Sequence, residues 1–248
     1  MKKTLTVAGL SAVILLLAVF LTVRFSAQGG AENFFNLKFR PQLSRHPLAR
    51  QIFGLHFDSD AKADYLAKKP GNIIVEVDSM EGTSLDYPLV QRLADRLAQV
   101  TGKQVSILIS DDGIPFAKTT DEGQAENLKK QYQDNRINRD NAVLYLLTVN
   151  QNQAHPTWVG ATLQEDGIMI FSQAVKDLTQ DRRERTEDYL YSTLLHEIGH
   201  QLGLGHNDGE DCLMNETVEE DSSRAWKDVV VDFCQEEKDQ IEAAKRSY

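Results

Sequence analysis

Residues 196–206 read His196-Glu197-Ile198-Gly199-His200-Gln201-Leu202-Gly203-Leu204-Gly205-His206, a stretch that holds three of the chain's six histidines. His196 and His200 are four apart, so on a helix they share one face, one turn from each other. Two imidazoles placed this way can reach one zinc ion at about 2.0–2.1 Å. A third ligand must then arrive from another direction if the ion is to keep an open position. Gly203 tolerates a left-handed backbone and can end the helix abruptly. The chain then turns and brings His206 back. Three neutral ligands leave the cation its full double charge, which acidifies a bound water. Glu197 lies on nearly the same side of the helix but is too short and offset to be the preferred ligand. It is placed to accept a proton from that water and pass it to a leaving amine. The chemistry implied is peptide hydrolysis without a covalent intermediate. A bare His-Glu-x-x-His arises by chance too often to trust. Five fixed positions, each at about one in twenty, are expected by chance on the order of once in ten thousand chains of this length.

Upstream of this helix the pattern is regular from about residue 71. Ile73-Ile74-Val75-Glu76-Val77 is a β-branched run opened by Pro70-Gly71, which reads as a strand. Leu85, Leu89, Leu93 and Leu97 recur every four residues and predict an amphipathic helix, capped by Asp86 and ended by Gly102. Val105–Ile109 reads as a second strand, and 122–138 as a polar helix. Ala142–Val149 is almost continuously apolar, as expected of a strand buried on both faces. Residues 158–163 and 168–171 read as two short strands joined by a turn at 164–167. The helix that carries the histidines is expected over 186–203, and a last helix over 226–246. This order predicts an α/β fold with a twisted, mostly parallel sheet.

Acidic residues outnumber basic ones by 37 to 27, a net charge of -10, which argues against a nucleic-acid partner because phosphate binding needs a basic footprint. Leu5–Val23 carries no charge and follows Lys2 and Lys3. It exceeds the usual apolar core of a cleaved signal, and about 20 apolar residues can span a bilayer. Residues 1–30 are therefore expected to be a transmembrane signal anchor, or a signal peptide if cleaved near Ala27 and Gly29. The positive-inside rule keeps the N-terminus in the cytoplasm. In either case the rest of the chain is extracytoplasmic: held at the cell membrane by a single pass, or secreted after cleavage. Residues 31–70 lack a period and read as a stem, leaving 71–248 as the working domain.

The sequence resembles the metzincin zinc metalloproteases, with every fixed position of the elongated motif His-Glu-x-x-His-x-x-Gly-x-x-His present at 196–206. The resemblance implies a zinc endopeptidase with His196, His200 and His206 as ligands and Glu197 as general base toward a zinc-activated water. It implies a small C-terminal subdomain and a methionine in a tight turn under the metal, for which Met214 in Cys212-Leu213-Met214-Asn215 is the candidate. Spacing after His206 is most like the archaemetzincins, which carry a Cys-x-Met element at this distance. They also place a cysteine directly after the third histidine and a cysteine pair further on, which hold a second, structural zinc. Here Asn207 takes the first of these places and only Cys234 lies near the later pair. A disulfide between Cys212 and Cys234 is therefore expected instead. The resemblance also implies that Trp158–Thr162 is an edge strand that pairs with an extended peptide or protein substrate.

Other candidates carry less. His46, His56 and His155 have no ligand spacing. Asp208, Glu210 and Asp211 form an acidic loop that lacks an EF-hand pattern. Glu216–Asp221 reads as a solvated acidic face. The rival to an enzyme is a membrane-anchored binding module whose zinc is purely structural.

Overall fold

The apolar run at 141–149 becomes the central strand of a five-stranded sheet. The computed structural model describes residues 2–27, 34–39, 43, 46–53, 58–68, 70–110, 113–138, 140–163, 166–179, 183–209, 211–215, 229–246 and 248. The strands are β1 (Asn72–Ser79), β2 (Gln104–Ile109), β3 (Asn141–Val149), β4 (Gly160–Leu163) and β5 (Gly167–Phe171), in the spatial order β2-β1-β3-β5-β4. All neighbours run parallel except β4, which pairs antiparallel with β5 along an edge. From Ala142 to Val149 every residue of β3 is buried, so its lack of alternation reflects cover on both faces.

The helix read from the leucine period is α5 (Tyr87–Thr101), which buries Leu89, Val90, Leu93, Ala94 and Leu97. Four helices precede it: α1 (Lys2–Ala27), α2 (Phe34–Lys38), α3 (Pro47–Phe53) and α4 (Asp58–Leu66). Asp86 stands at the N-cap of α5, but its side chain makes no capping hydrogen bond, contrary to the expected cap. The polar helix α6 (Glu122–Tyr132) is shorter than expected. It opens with a capping box in which Asp121 and Gln124 satisfy each other's backbone N–H groups. An unexpected helix, α7 (Ser172–Thr179), follows β5 without a break. The histidine-bearing helix α8 spans Arg183–Gln201, and α9 spans Gln235–Arg246. The earlier part of the last expected helix, through residue 228, lies outside the described residues, as do Glu216–Asp221, Glu210, His56 and residues 164 and 165 of the expected turn. Helix α5 packs on β2 and on α8, and α6 lies against β3 and β4.

The stem holds three short helices, α2 to α4, where no period was visible. α1 packs on α2 and α3, with the Phe20 and Phe53 rings 5.9 Å apart. The expected transmembrane helix is not supported: among the described residues no helix is long and apolar enough to cross a membrane.

The sheet buries polar groups as well as apolar ones. Glu76 on β1 is fully buried and accepts from the backbone N–H groups of Asp134 and Asn135 and from the Asn135 side chain. Beside it, Tyr145 Oη donates to Asp78 at 2.6 Å. Burial pushes the Tyr145 phenol well above its ordinary value, helped by the Asp78 hydrogen bond and by the charges of Asp78 and Glu76. Burial raises Tyr65 as well. An unfolded tyrosine ionises near pH 10, while these stay protonated in the fold. Native protein thus binds more protons, and stability falls as pH rises above about 10. Tyr145→Phe is expected to cost about 1–3 kcal/mol at pH 8 and to flatten that alkaline decline. Urea unfolding of both proteins between about pH 8 and 11 checks the two effects together.

Candidate metal centre

Helix α8 sets the geometry of the site. It carries His196 and His200 one turn apart and stops where the sequence supplies a glycine. Gly203 has φ +86°, and Gly203 N–H donates to His200 O while Leu204 N–H donates to Gly199 O, both at 2.9 Å. This 5→2 and 6→1 pair is a Schellman motif, which needs a left-handed residue at the glycine. The chain leaves at a fixed angle, and His206 returns to the two helical histidines. The Nε2 atoms of His196 and His206 lie 3.3 Å apart, and those of His196 and His200 3.1 Å apart. A tetrahedral ion with arms of about 2.0–2.1 Å needs ligand atoms about 3.3–3.4 Å apart. One atom from each histidine lies within 4.8 Å of the others, so the trio forms a group able to hold a metal ion.

The protonation pattern fits the same purpose. His196 Nδ1 lies 2.8 Å from Leu213 O, and His200 Nδ1 lies 3.2 Å from Leu204 O. A carbonyl only accepts, so each Nδ1 carries the proton and each Nε2 keeps its lone pair for the ion. His196 is buried, His200 half-buried and His206 exposed, so the site opens to solvent on one side. Glu197 is buried, and its Oε2 accepts from Thr162 Oγ1 at 2.8 Å. Thr162 lies on β4, so the edge strand holds the carboxylate directly.

Met214 is fully buried beneath the histidines. A Cβ at Gly199 would sit 2.3 Å from its Sδ and 3.3 Å from the ring of Phe233. The glycine between the two helical histidines is thus required by the methionine turn. That turn is bound to the loop of His206, since Asn207 N–H donates to Met214 O at 2.9 Å. Cys212 and Cys234 form a disulfide, with Cα atoms 4.9 Å apart, that ties the turn to the start of α9.

Sequence reasoning gave no role to Glu237. This buried carboxylate accepts from Met214 N–H at 2.7 Å and Asn207 Nδ2 at 2.9 Å through one oxygen. Its other oxygen accepts from Cys234 N–H at 2.8 Å and Leu213 N–H at 3.3 Å. A signal was available: Cys234 and Glu237 stand as N-cap and N3 of α9, where a glutamate commonly reaches back to the N-cap N–H. Thr162 was read only as part of a strand. Of the lesser candidates, His155 stacks on Trp158 with ring centroids 4.0 Å apart. Among the described residues Asp208 and Asp211 belong to no group of metal-ligating atoms.

The contact between Gly199 and Met214 is testable by a double-mutant cycle. Gly199→Ala is expected to destabilise by about 1–3 kcal/mol through overpacking and to weaken zinc binding. Combined with Met214→Ala it should cost less than the two single changes summed, by about 0.5–3 kcal/mol. Additive unfolding energies would remove the contact from the account.

The family model of the matrixins, a peptidase family, matches residues 112–235, which is 124 of 248 residues, or half of the chain. No curated protein matches. Among solved structures, the archaemetzincin of Methanopyrus kandleri aligns with TM-score 0.51 at 15% identity, covering 73% of this chain and 99% of that one. The archaemetzincin of Archaeoglobus fulgidus, solved with malonate, gives 0.45 at 18% identity, covering 68% and 99%. Metalloproteinase-II of Bacteroides fragilis gives 0.43 at 14%, covering 84% and 71%. The first of these supports the likeness in fold, and the family match spans the whole histidine motif, the methionine turn and both cysteines. The chain belongs to the matrixin family and is a zinc metallopeptidase of the metzincin type.

Proposed function

We propose that the chain is an extracytoplasmic endopeptidase that holds zinc through His196, His200 and His206 and uses Glu197 as general base. The observation that carries this reading is the convergence of three Nε2 atoms beside a buried carboxylate. Zinc, when bound, supplies a Lewis acid that polarises the scissile carbonyl and lowers the pKa of the attacking water. The chain's own residues do the rest. Glu197, oriented by Thr162, takes the proton of the attacking water and gives it to the amine as the C–N bond breaks, so it ends in its starting state. No bond forms between substrate and protein. Met214 forms the floor against which the helical histidines rest. The outer edge of β4, unpaired among the described residues, offers backbone N–H and C=O groups to an extended peptide, which would align its carbonyl with the histidines by strand addition.

The extracytoplasmic placement rests on the charge-free run Leu5–Val23 behind Lys2 and Lys3 and on the Cys212–Cys234 disulfide, since disulfides persist in oxidising compartments. The segment 1–30 acts as membrane anchor or cleaved signal, 31–70 as stem and 71–248 as the catalytic domain. Fractionation of cells with protease protection of the intact membrane would place the domain. A fully protected, cytoplasmic domain would end the topological part of the proposal.

Glu197→Ala should keep zinc at full stoichiometry yet lose about 10²–10⁴-fold in kcat on a peptide library. Hydrolysis at the original rate would show the acid role to be misassigned. His206→Ala should bind zinc more weakly, and activity should decline in mild acid because the ligands must shed protons to bind metal. A chelator should abolish hydrolysis reversibly while the fold survives. Collapse of the fold on chelation would instead favour a purely structural zinc.

A further inference from the structure

A cavity of about 290 Å³ lies apart from the metal centre. It opens beyond the carboxyl ends of β1 and β3. From β1 the chain runs through α5 to β2 on one side, and β3 leads away on the other, so this is the switch point of the sheet. Crevices of this kind are where open α/β sheets take ligands. Thr83 bridges the two strand ends, its Oγ1 lying 2.8 Å from Met80 O and 3.0 Å from Thr148 O. The far wall is the first part of α8. Glu187 there precedes His196 by nine residues, about 14 Å along the helix axis.

The lining has three parts. Leu85, Leu89, Ile170, Val175 and Leu190 make an apolar wall. Thr148 and Ser172 also line it, and each has a buried hydroxyl oxygen with no hydrogen-bond partner; Thr148 is only 1% exposed. At the rim stand one cation, Lys176, and two carboxylates, Asp86 and Glu187. The N-terminus of α5 abuts the same space without a side-chain cap. A purely apolar occupant would offer nothing to the three charges at the rim. A phosphate or other simple anion would face two carboxylates. A ligand with its own cation, its own carboxylate and a branched apolar body answers both the rim charges and the apolar wall. The volume, at the lower end for small-molecule sites, suits one residue better than a chain.

We propose that this cavity binds a free α-amino acid with an apolar side chain of about leucine size. Its carboxylate meets Lys176, its ammonium meets Glu187 and Asp86, and its side chain lies against the apolar wall. For a peptidase such a ligand is a product of the reaction class, read at a second place on the helix that carries His196 and Glu197.

The test is calorimetric titration of the zinc-loaded full chain with leucine, alongside leucinamide and N-acetylleucine, which each lack one charge. Leucine should bind and raise the Tm in step with its concentration, and both analogues should bind at least about ten-fold more weakly. Lys176→Met and Glu187→Gln change rim side chains, so their ligand-free Tm should match the parent. Each should weaken leucine by about ten- to a hundred-fold, the worth of one charge-assisted hydrogen bond. Absence of binding overturns the proposal. So does binding that is unchanged in both variants, because leucine would then be chelating zinc in the catalytic cleft.

Discussion

One backbone event organises the catalytic end of the molecule: α8 stops at Gly203. Had the helix run on, His206 would lie ten residues beyond His196, about 15 Å along the axis, and could not meet the same ion. The left-handed glycine and its two reverse hydrogen bonds convert sequence distance into spatial coincidence. Everything else at the site either holds that returning loop or faces the space the three histidines enclose. The methionine turn holds it from below through the Asn207–Met214 backbone bond. The edge strand faces it from above, through Thr162 and Glu197.

The same geometry explains why the helix contains a glycine between its two histidines. Glycine inside a helix costs about 1 kcal/mol relative to alanine. At 199 that cost is offset because Met214 Sδ occupies the volume a Cβ would need. The sulfur is soft and fully buried, and it lies directly beneath the turn that presents His196 and His200. Local propensity is given up so that the floor of the site can close against the helix backbone.

Much of this was legible in the sequence, and the parts that were not share a cause. The leucine period of α5, the unbroken apolarity of β3 and the histidine motif are local patterns with one dominant reading each. The helix α7 was missed because it begins on the residue after β5 and buries only Ala174, Val175 and Thr179, too few to show a period. The Asp86 cap was expected from residue type, yet its carboxylate makes no cap bond, because propensity states what a side chain can do and not what it does. Thr162 looked like any exposed strand residue, and its importance exists only once β4 lies over α8.

Glu237 is the clearest case, because its four partners come from three separated segments: 207, 213–214 and 234. A buried carboxylate is costly unless hydrogen-bonded throughout. Here every neighbour is a donor: three backbone N–H groups and one amide Nδ2. Only a group that accepts on both oxygens suits such a pocket. A glutamine would turn its own N–H groups toward two of those donors. A carboxyl group accepting on both oxygens is therefore the fitting residue, although it is only 1% exposed. It binds the loop after His206, the methionine turn and the start of α9 into one unit, with the Cys212–Cys234 disulfide as its covalent counterpart. The family match ends at residue 235, two residues short of this acid. The terminal helix, which looked like simple packing, thus supplies the carboxylate that fixes the loop after His206 and the methionine turn.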